Sequence, residues 1–199
     1  MNNKPWDAQL AYRLVYPLRN SWVTPNHLTL VRLLFGIFAA TGFAEGSYLW
    51  TNVGAICFVI SNFLDHTDGE LARLTGKTSK EGHYFDLVCD AIVNIILFIG
   101  IGVGLMEGGL GVWALPMGII SGISVAAIFF MRYEIEKFIG KSAARQPNVG
   151  IIEAEDVLYF LPLVSLLELL APFLSLATVG APTFAAWCLC QYRQIDRPL

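Results

Sequence analysis

Six apolar stretches, each long enough to cross hydrocarbon as a helix of about 20 residues, take up most of this 199-residue chain. They lie near residues 26–44, 47–66, 83–106, 110–132, 155–172 and 174–192. The pattern predicts an all-α fold, a polytopic membrane helical bundle with six transmembrane helices. Composition agrees: charged residues make up 15% of the chain, against about 25% in an ordinary soluble domain. Mean hydropathy is +0.57. Pro172 and Gly180-Ala181-Pro182 predict turns or kinks around the last two stretches. The length suits a single domain, 1–199, with the bundle over 23–199.

The basic residues orient the bundle. There are 13 Lys and Arg residues. Lys4, Arg13, Arg19 and Arg32 lie at or before the start of the first stretch, and Arg73, Lys77 and Lys80 lie between the second and third. Arg132, Lys137, Lys141 and Arg145 leave the fourth, and Arg193 and Arg197 follow the sixth. The other connections, around Glu45, Glu107 and Ser175, carry none. With six spans every basic residue falls on one side, which the positive-inside rule makes cytoplasmic, with both termini there. In a bacterium that places the protein in the inner membrane. Five or seven spans scatter the charges.

Residues 1–22 read as an interfacial segment. Trp6, Leu10, Tyr12, Leu14, Tyr16 and Leu18 alternate with Lys4, Asp7, Arg13 and Arg19, the mixture of an amphipathic helix lying on a membrane. No apolar run there ends in a small-residue cleavage site, so it does not read as a signal peptide. The four cysteines form no CxxC pair and read as buried thiols. The net charge of −3 advertises no nucleic-acid partner.

The chemistry concentrates in residues 62–90. Asp65 and Asp68 are three apart at the end of the second stretch, and Asp86 and Asp90 are four apart at the start of the third. Each spacing puts a pair on one helix face. The intervening polar loop lets the two pairs face each other across a helical hairpin. Four carboxylates this close repel strongly in a low dielectric, and Arg73 is the one fixed positive charge the sequence places nearby. Buried charge must be paired or bind metal, and hard divalent cations with oxygen ligands, Mg²⁺ or Mn²⁺, are the natural partner. Helix capping alone does not call for four acids in two helical pairs. Gly69, Ala72 and Gly82 leave room for a bulky ligand near the backbone. Arg73 is suited to an anionic phosphate.

The run Asp65-x-x-Asp68-Gly69-x-x-Ala72-Arg73, eight residues, Gly82-x-x-x-Asp86-x-x-x-Asp90 resembles the signature of the CDP-alcohol phosphatidyltransferases at each fixed position. Thr24-Pro25-Asn26-x-x-Thr29 also resembles that family's Pro-Asn-x-x-Thr entry to the first span. The resemblance implies a phosphotransfer in phospholipid biosynthesis: an alcohol hydroxyl attacks the β-phosphorus of a CDP-linked lipid such as CDP-diacylglycerol, making a phosphodiester and releasing CMP. It implies that Asp65, Asp68 and Asp86 ligate metal as a two-ion site, and that Asp90 is a ligand and the general base. It implies that Gly69, Ala72, Arg73 and Gly82 surround the CDP moiety, with Asn26 at the phosphates or at a ligand carboxylate. By the same likeness the protein is expected to be a homodimer in contact with membrane lipids.

The acceptor alcohol is set outside the shared motif. The chain reads Asp86-Leu87-Val88-Cys89-Asp90-Ala91, without the Pro and Lys common in glycerol-phosphate members, the Ser of serine-type members or the His-Gly of eukaryotic choline and ethanolamine enzymes. Gly150-x-x-Glu153 resembles a stretch of inositol-phosphate members, but Ala154 replaces the usual Arg. Arg132, Lys137, Lys141 and Arg145 offer either a basic lining for a phosphorylated acceptor or plain topology charges. His66 and His83 read as residues near the site rather than ligands, because hard metals prefer oxygen. Glu168 reads as an acid within the fifth span. The other function class is a cation-binding transporter, against which stands the gathering of the acids at one membrane edge.

Overall fold

A computed structural model describes residues 6–76, 80–139 and 156–195. All its elements are helical, and no strand occurs among the described residues. Helix α1 (Trp6–Val15) leads through a 3₁₀ turn to α2 (Pro25–Glu45), α3 (Tyr48–Thr75), α4 (Lys80–Gly104), α5 (Ala114–Ile139), the short α6 (Leu161–Leu166) and α7 (Leu170–Ile195). Lys141, Arg145 and the Gly150–Glu153 stretch lie outside the described residues.

Four helical segments are long and apolar enough to cross a membrane: Pro25–Glu45, Glu81–Gly104, Gly111–Ile135 and Leu170–Gln194. This makes the chain an integral membrane protein. The second predicted span is α3, 28 residues long and thus roughly 42 Å. Asn52, Asn62 and the acids from Asp65 onward interrupt its apolar run, so it falls outside those four. Of the fifth predicted span, the described part is a 3₁₀ turn, Asp156–Phe160, the six residues of α6, the break that follows it and the first residues of α7.

The break between the last two segments also differs from the sequence expectation. It falls at Leu167–Leu169, where Glu168 has a φ of 56°. Pro172 sits in the first turn of α7, where its missing N–H costs no helical hydrogen bond. Pro182 lies inside α7 without ending it. Glu168 is therefore not an acid within a span. It is exposed, and lines a pocket with Gly46, Tyr48 and Gly104, where α2, α3 and α4 meet their other turns.

Helix α2 is central, packing on both α3 and α4; α4 packs on α5, and α5 on α7. Small residues permit the approach. A Cβ on Gly54 would stand 2.8 Å from the Ala39 carbonyl oxygen, and one on Gly42 would stand 2.8 Å from that of Trp50, so α2 and α3 touch backbone to backbone. Gly36 admits a side chain of α4: a Cβ there would come within 2.6 Å of Val93 Cγ2. Phe43, Phe58, Leu97, Phe98 and Ile101 fill the core beyond these contacts. Helix α1 lies against α3 with Ala11 and Val15, one turn apart, buried, while Leu10 and Leu14 stay exposed.

Candidate functional site

The α2–α3–α4 packing draws three polar helix segments together at one end of the bundle. Thr24 starts α2 in a capping box, its backbone N–H donating to His27 Nδ1 at 3.2 Å, with Pro25 at the first helical position. One turn in, Thr29 and Arg32 lie three apart on one helix face, both buried. Asp65 and Asp68 come from the second half of α3, Asp86 and Asp90 from the first half of α4.

The two predicted acid pairs do face each other. One carboxylate oxygen from each of Asp65, Asp68 and Asp86 lies within 4.8 Å of the others. Unit charges about 5 Å apart repel by roughly 3 kcal/mol at an effective dielectric of about 20, so three such pairs cost about as much as a domain's whole net stability. The arrangement therefore calls for cations, or for protons on some of the acids.

One cation is part of the chain, and sequence reasoning missed it. Arg32 is 2% exposed. Its Nη1 contacts Asp65 Oδ1 and lies 3.2 Å from Asp86 Oδ1, while Nη2 lies 3.2 Å from Asp90 Oδ1 and donates to the Asp86 carbonyl oxygen at 3.2 Å. Thr29 Oγ1 donates to Asp68 Oδ2 at 2.8 Å. Two residues of α2 thus reach all four acids. The expectation that Arg73 supplies the nearby charge is corrected: Arg73 is 60% exposed and pairs with Glu70 at 3.1 Å, one turn earlier on α3. The signal for Arg32 was its place inside the first apolar stretch, where an ionisable residue marks a site. The positive-inside count absorbed it as a topology charge.

Neighbouring contacts fix these groups. Ser61 Oγ of α3 donates to the Arg32 carbonyl oxygen at 2.9 Å, pinning α2 to α3 at the arginine. Asn94 Nδ2 donates to the Asp90 carbonyl oxygen at 2.9 Å. His66 stacks on Tyr159, and His83 packs on Tyr133 with ring centroids 4.6 Å apart.

The remaining predicted residues distribute unevenly. Around Gly69 there is space, the nearest atom to an added Cβ being Arg73 Nη2 at 3.7 Å. Ala72 and Gly82 are half-buried on α3 and α4. Asn26 is exposed on the first turn of α2. Arg132 lines an apolar cavity of about 380 Å³ between α4, α5 and α7, with Phe98, Phe129, Phe173 and Phe184. Lys137 is exposed and pairs with Glu134 at 3.6 Å.

A divalent metal fits the acid cluster. The donors are all carboxylate oxygens, as hard cations require. Asp86 Oδ1 is also buried without a hydrogen bond, its approach to Arg32 being an ion pair only.

The sequence model of the CDP-alcohol phosphatidyltransferase family matches residues 22–189. The chain belongs to the CDP-alcohol phosphatidyltransferase family. Within it, the archaetidylinositol phosphate synthase of Pyrococcus horikoshii is 34% identical over 102 residues, 51% of this chain and 52% of that one. The chain thus spans about half the length of that curated relative, and 15% of a bifunctional IPC transferase and DIPP synthase of Archaeoglobus fulgidus. The phosphatidylinositol phosphate synthase of Cutibacterium acnes is 27% identical over 172 residues, 86% of this chain and 76% of that one. The fold matches the crystal structure of Mycobacterium tuberculosis phosphatidylinositol phosphate synthase with CDP-DAG bound, with a TM-score of 0.60 and 19% identity over 95% of this chain and 90% of that one.

Proposed function

We propose that this family member is a membrane enzyme of phospholipid biosynthesis that transfers the substituted phosphate of a CDP-linked lipid, such as CDP-diacylglycerol, to an alcohol, releasing CMP. The observation that carries the reading is the convergence of Asp65, Asp68 and Asp86 beside Asp90 at one end of the α2–α3–α4 bundle. In this reading Asp65, Asp68, Asp86 and Asp90 hold two divalent ions, Mg²⁺ or Mn²⁺. Metal bound there neutralises charge on the pyrophosphate and on the leaving CMP.

The protein's own groups do the rest. Asp90, one turn beyond Asp86, takes the proton from the acceptor hydroxyl, because an alcohol is a poor nucleophile near neutral pH. The new bond joins the acceptor oxygen to the β-phosphorus, and the bond to the bridging oxygen of the pyrophosphate breaks. Gly69, Ala72 and Gly82 give the CDP moiety room, and the exposed Arg73 meets a phosphate by exchanging its buried partner Glu70. In the same reading Asn26 contacts the phosphates or a ligand carboxylate, and Arg132 and Lys137 serve the acceptor.

The proposal includes six spans in one domain, with α1 as an interfacial helix, both termini and the site cytoplasmic, and a homodimer. The basic residues support the sidedness, since six spans put every one of them with the acids. The relatives' names point to different alcohols, inositol phosphate for some and choline for another. Family membership takes the place of the transporter alternative. The test is purified protein with labelled CDP-diacylglycerol, Mg²⁺ or Mn²⁺ and a panel of alcohols that includes inositol phosphate. CMP released with one acceptor supports the reading and names the alcohol; no CMP with any acceptor overturns it.

A further inference from the structure

Arg32 is the largest fully buried charged side chain among the described residues. A charge placed only for topology reaches for water along its flexible stem. This one turns inward instead. Its Nη1 serves Asp65 of α3 and Asp86 of α4, and its Nη2 serves Asp90 of α4. It therefore ties the two acid pairs together from α2, the helix that stands between α3 and α4. The backbone is committed to this placement as well. Ser61 holds the Arg32 carbonyl from α3, and Gly36, one turn on, admits Val93 so that α4 closes on the arginine.

We propose that Arg32 is the resident cation of the acid cluster, a positioning residue that keeps the four carboxylates gathered whenever divalent metal is absent. The inference rests on the metal-site reading above. Without any cation the carboxylates repel and the ends of α3 and α4 separate. With Arg32 in place the cluster is already assembled when metal arrives, and metal adds to a scaffold rather than building one. Each carboxylate has two oxygens, so one engaged by Arg32 leaves another free for metal. A planar fork that reaches three carboxylates from two nitrogens is a task for arginine; lysine offers the charge at a single point.

This gives a prediction that a purely structural role does not share. If Arg32 supplies the charge that metal also supplies, metal compensates for its loss. Thermal unfolding is measured for wild type, Arg32→Met and Arg32→Lys, each with chelator and with Mn²⁺, and Mn²⁺ binding is followed by electron paramagnetic resonance on the same samples. In chelator, Arg32→Met melts about 10 °C below wild type, the scale expected for breaking a buried ion pair in a domain of this size. Mn²⁺ closes more than half of that gap. Arg32→Lys falls between the two in chelator.

A gap of the same size with and without Mn²⁺, or no gap in chelator, overturns the proposal. If Arg32→Met is obtained only in Mn²⁺, stripping the metal must unfold it. If it is obtained in neither condition, Arg32→Lys decides: a deficit that Mn²⁺ relieves supports the role, and one that Mn²⁺ leaves unchanged overturns it. A wild-type protein that binds no Mn²⁺ defeats the metal-site reading itself. Wild-type binding without metal-dependent rescue of the variants defeats only the role of Arg32.

Discussion

Thr29 Oγ1 donates a 2.8 Å hydrogen bond to Asp68 Oδ2, joining the first turns of α2 to the polar end of α3. Asp68 is the most buried of the four acids, 4% exposed, and this hydroxyl is the side-chain donor that turns its carboxylate into the cluster. Thr29→Val keeps the shape and removes the donor. Leaving a buried carboxylate short of a donor costs about 1–3 kcal/mol. Loss of a partner that orients a metal ligand typically weakens metal affinity or activity by about 10–100-fold. The variant is expected to need at least about tenfold more Mg²⁺ for half-maximal CMP release. A metal titration of CMP release checks this, and an unchanged midpoint contradicts it.

Gly69 separates packing from ligand binding. An added Cβ meets only Arg73 Nη2, at 3.7 Å, so the protein itself has room for alanine. Alanine is the better helix former by about 1 kcal/mol. Gly69→Ala should therefore melt at or above the wild-type temperature and yet bind the CDP-lipid more weakly, with a raised KM. Calorimetry and KM measured together test the pair of outcomes. A variant with unchanged KM removes Gly69 from the CDP contact.

Gly36 presents the opposite case. An added Cβ comes within 2.6 Å of Val93 Cγ2, so α4 must retreat from α2 just where Arg32 spans them. Overpacking of this kind costs about 1–3 kcal/mol. Gly36→Ala should lose stability and CMP release together, and adding Val93→Ala should recover part of both. Additive losses in the double variant would show that the two side chains do not meet.

Asp90 carries the proton in the proposed reaction. Asp90→Asn removes the base while keeping size and polarity. Turnover is expected to fall by at least about 10²-fold, the lower end of what a positioned general base contributes. Binding of the CDP-lipid, followed by equilibrium titration in the presence of metal, should be largely preserved. Loss of binding and turnover together would make Asp90 mainly a metal ligand.

The parts legible in the sequence are those set by local spacing. Three- and four-residue intervals placed Asp65 with Asp68 and Asp86 with Asp90, and the two pairs do converge, but among the described residues α3 and α4 do not pack on each other as a hairpin: α2 stands between them. Arg32 was not legible as a site residue, because its role depends on the way α2 wedges between α3 and α4, a contact 54 positions long to Asp86. Thr29 stood in the sequence as part of an entry motif, and its partner Asp68, 39 positions on, became visible only in three dimensions. The turn before α7 was misplaced because proline was read as a breaker at Pro172. There it occupies a first helical turn, and the chain reverses at Glu168 instead. Arg73 and Glu70, three apart on one helix, form the i, i+3 pair that their spacing permits.

In the proposed reaction the carboxylate cluster holds the divalent metal on which phosphotransfer depends. The most direct test is a Mn²⁺ titration of CMP release from CDP-diacylglycerol, run in parallel on wild type and Asp68→Asn. Wild type should be inactive after chelation and regain CMP release with added Mn²⁺, while Asp68→Asn stays inactive at Mn²⁺ concentrations that saturate wild type. Release by chelated wild type, or a wild-type titration curve from Asp68→Asn, would contradict the account.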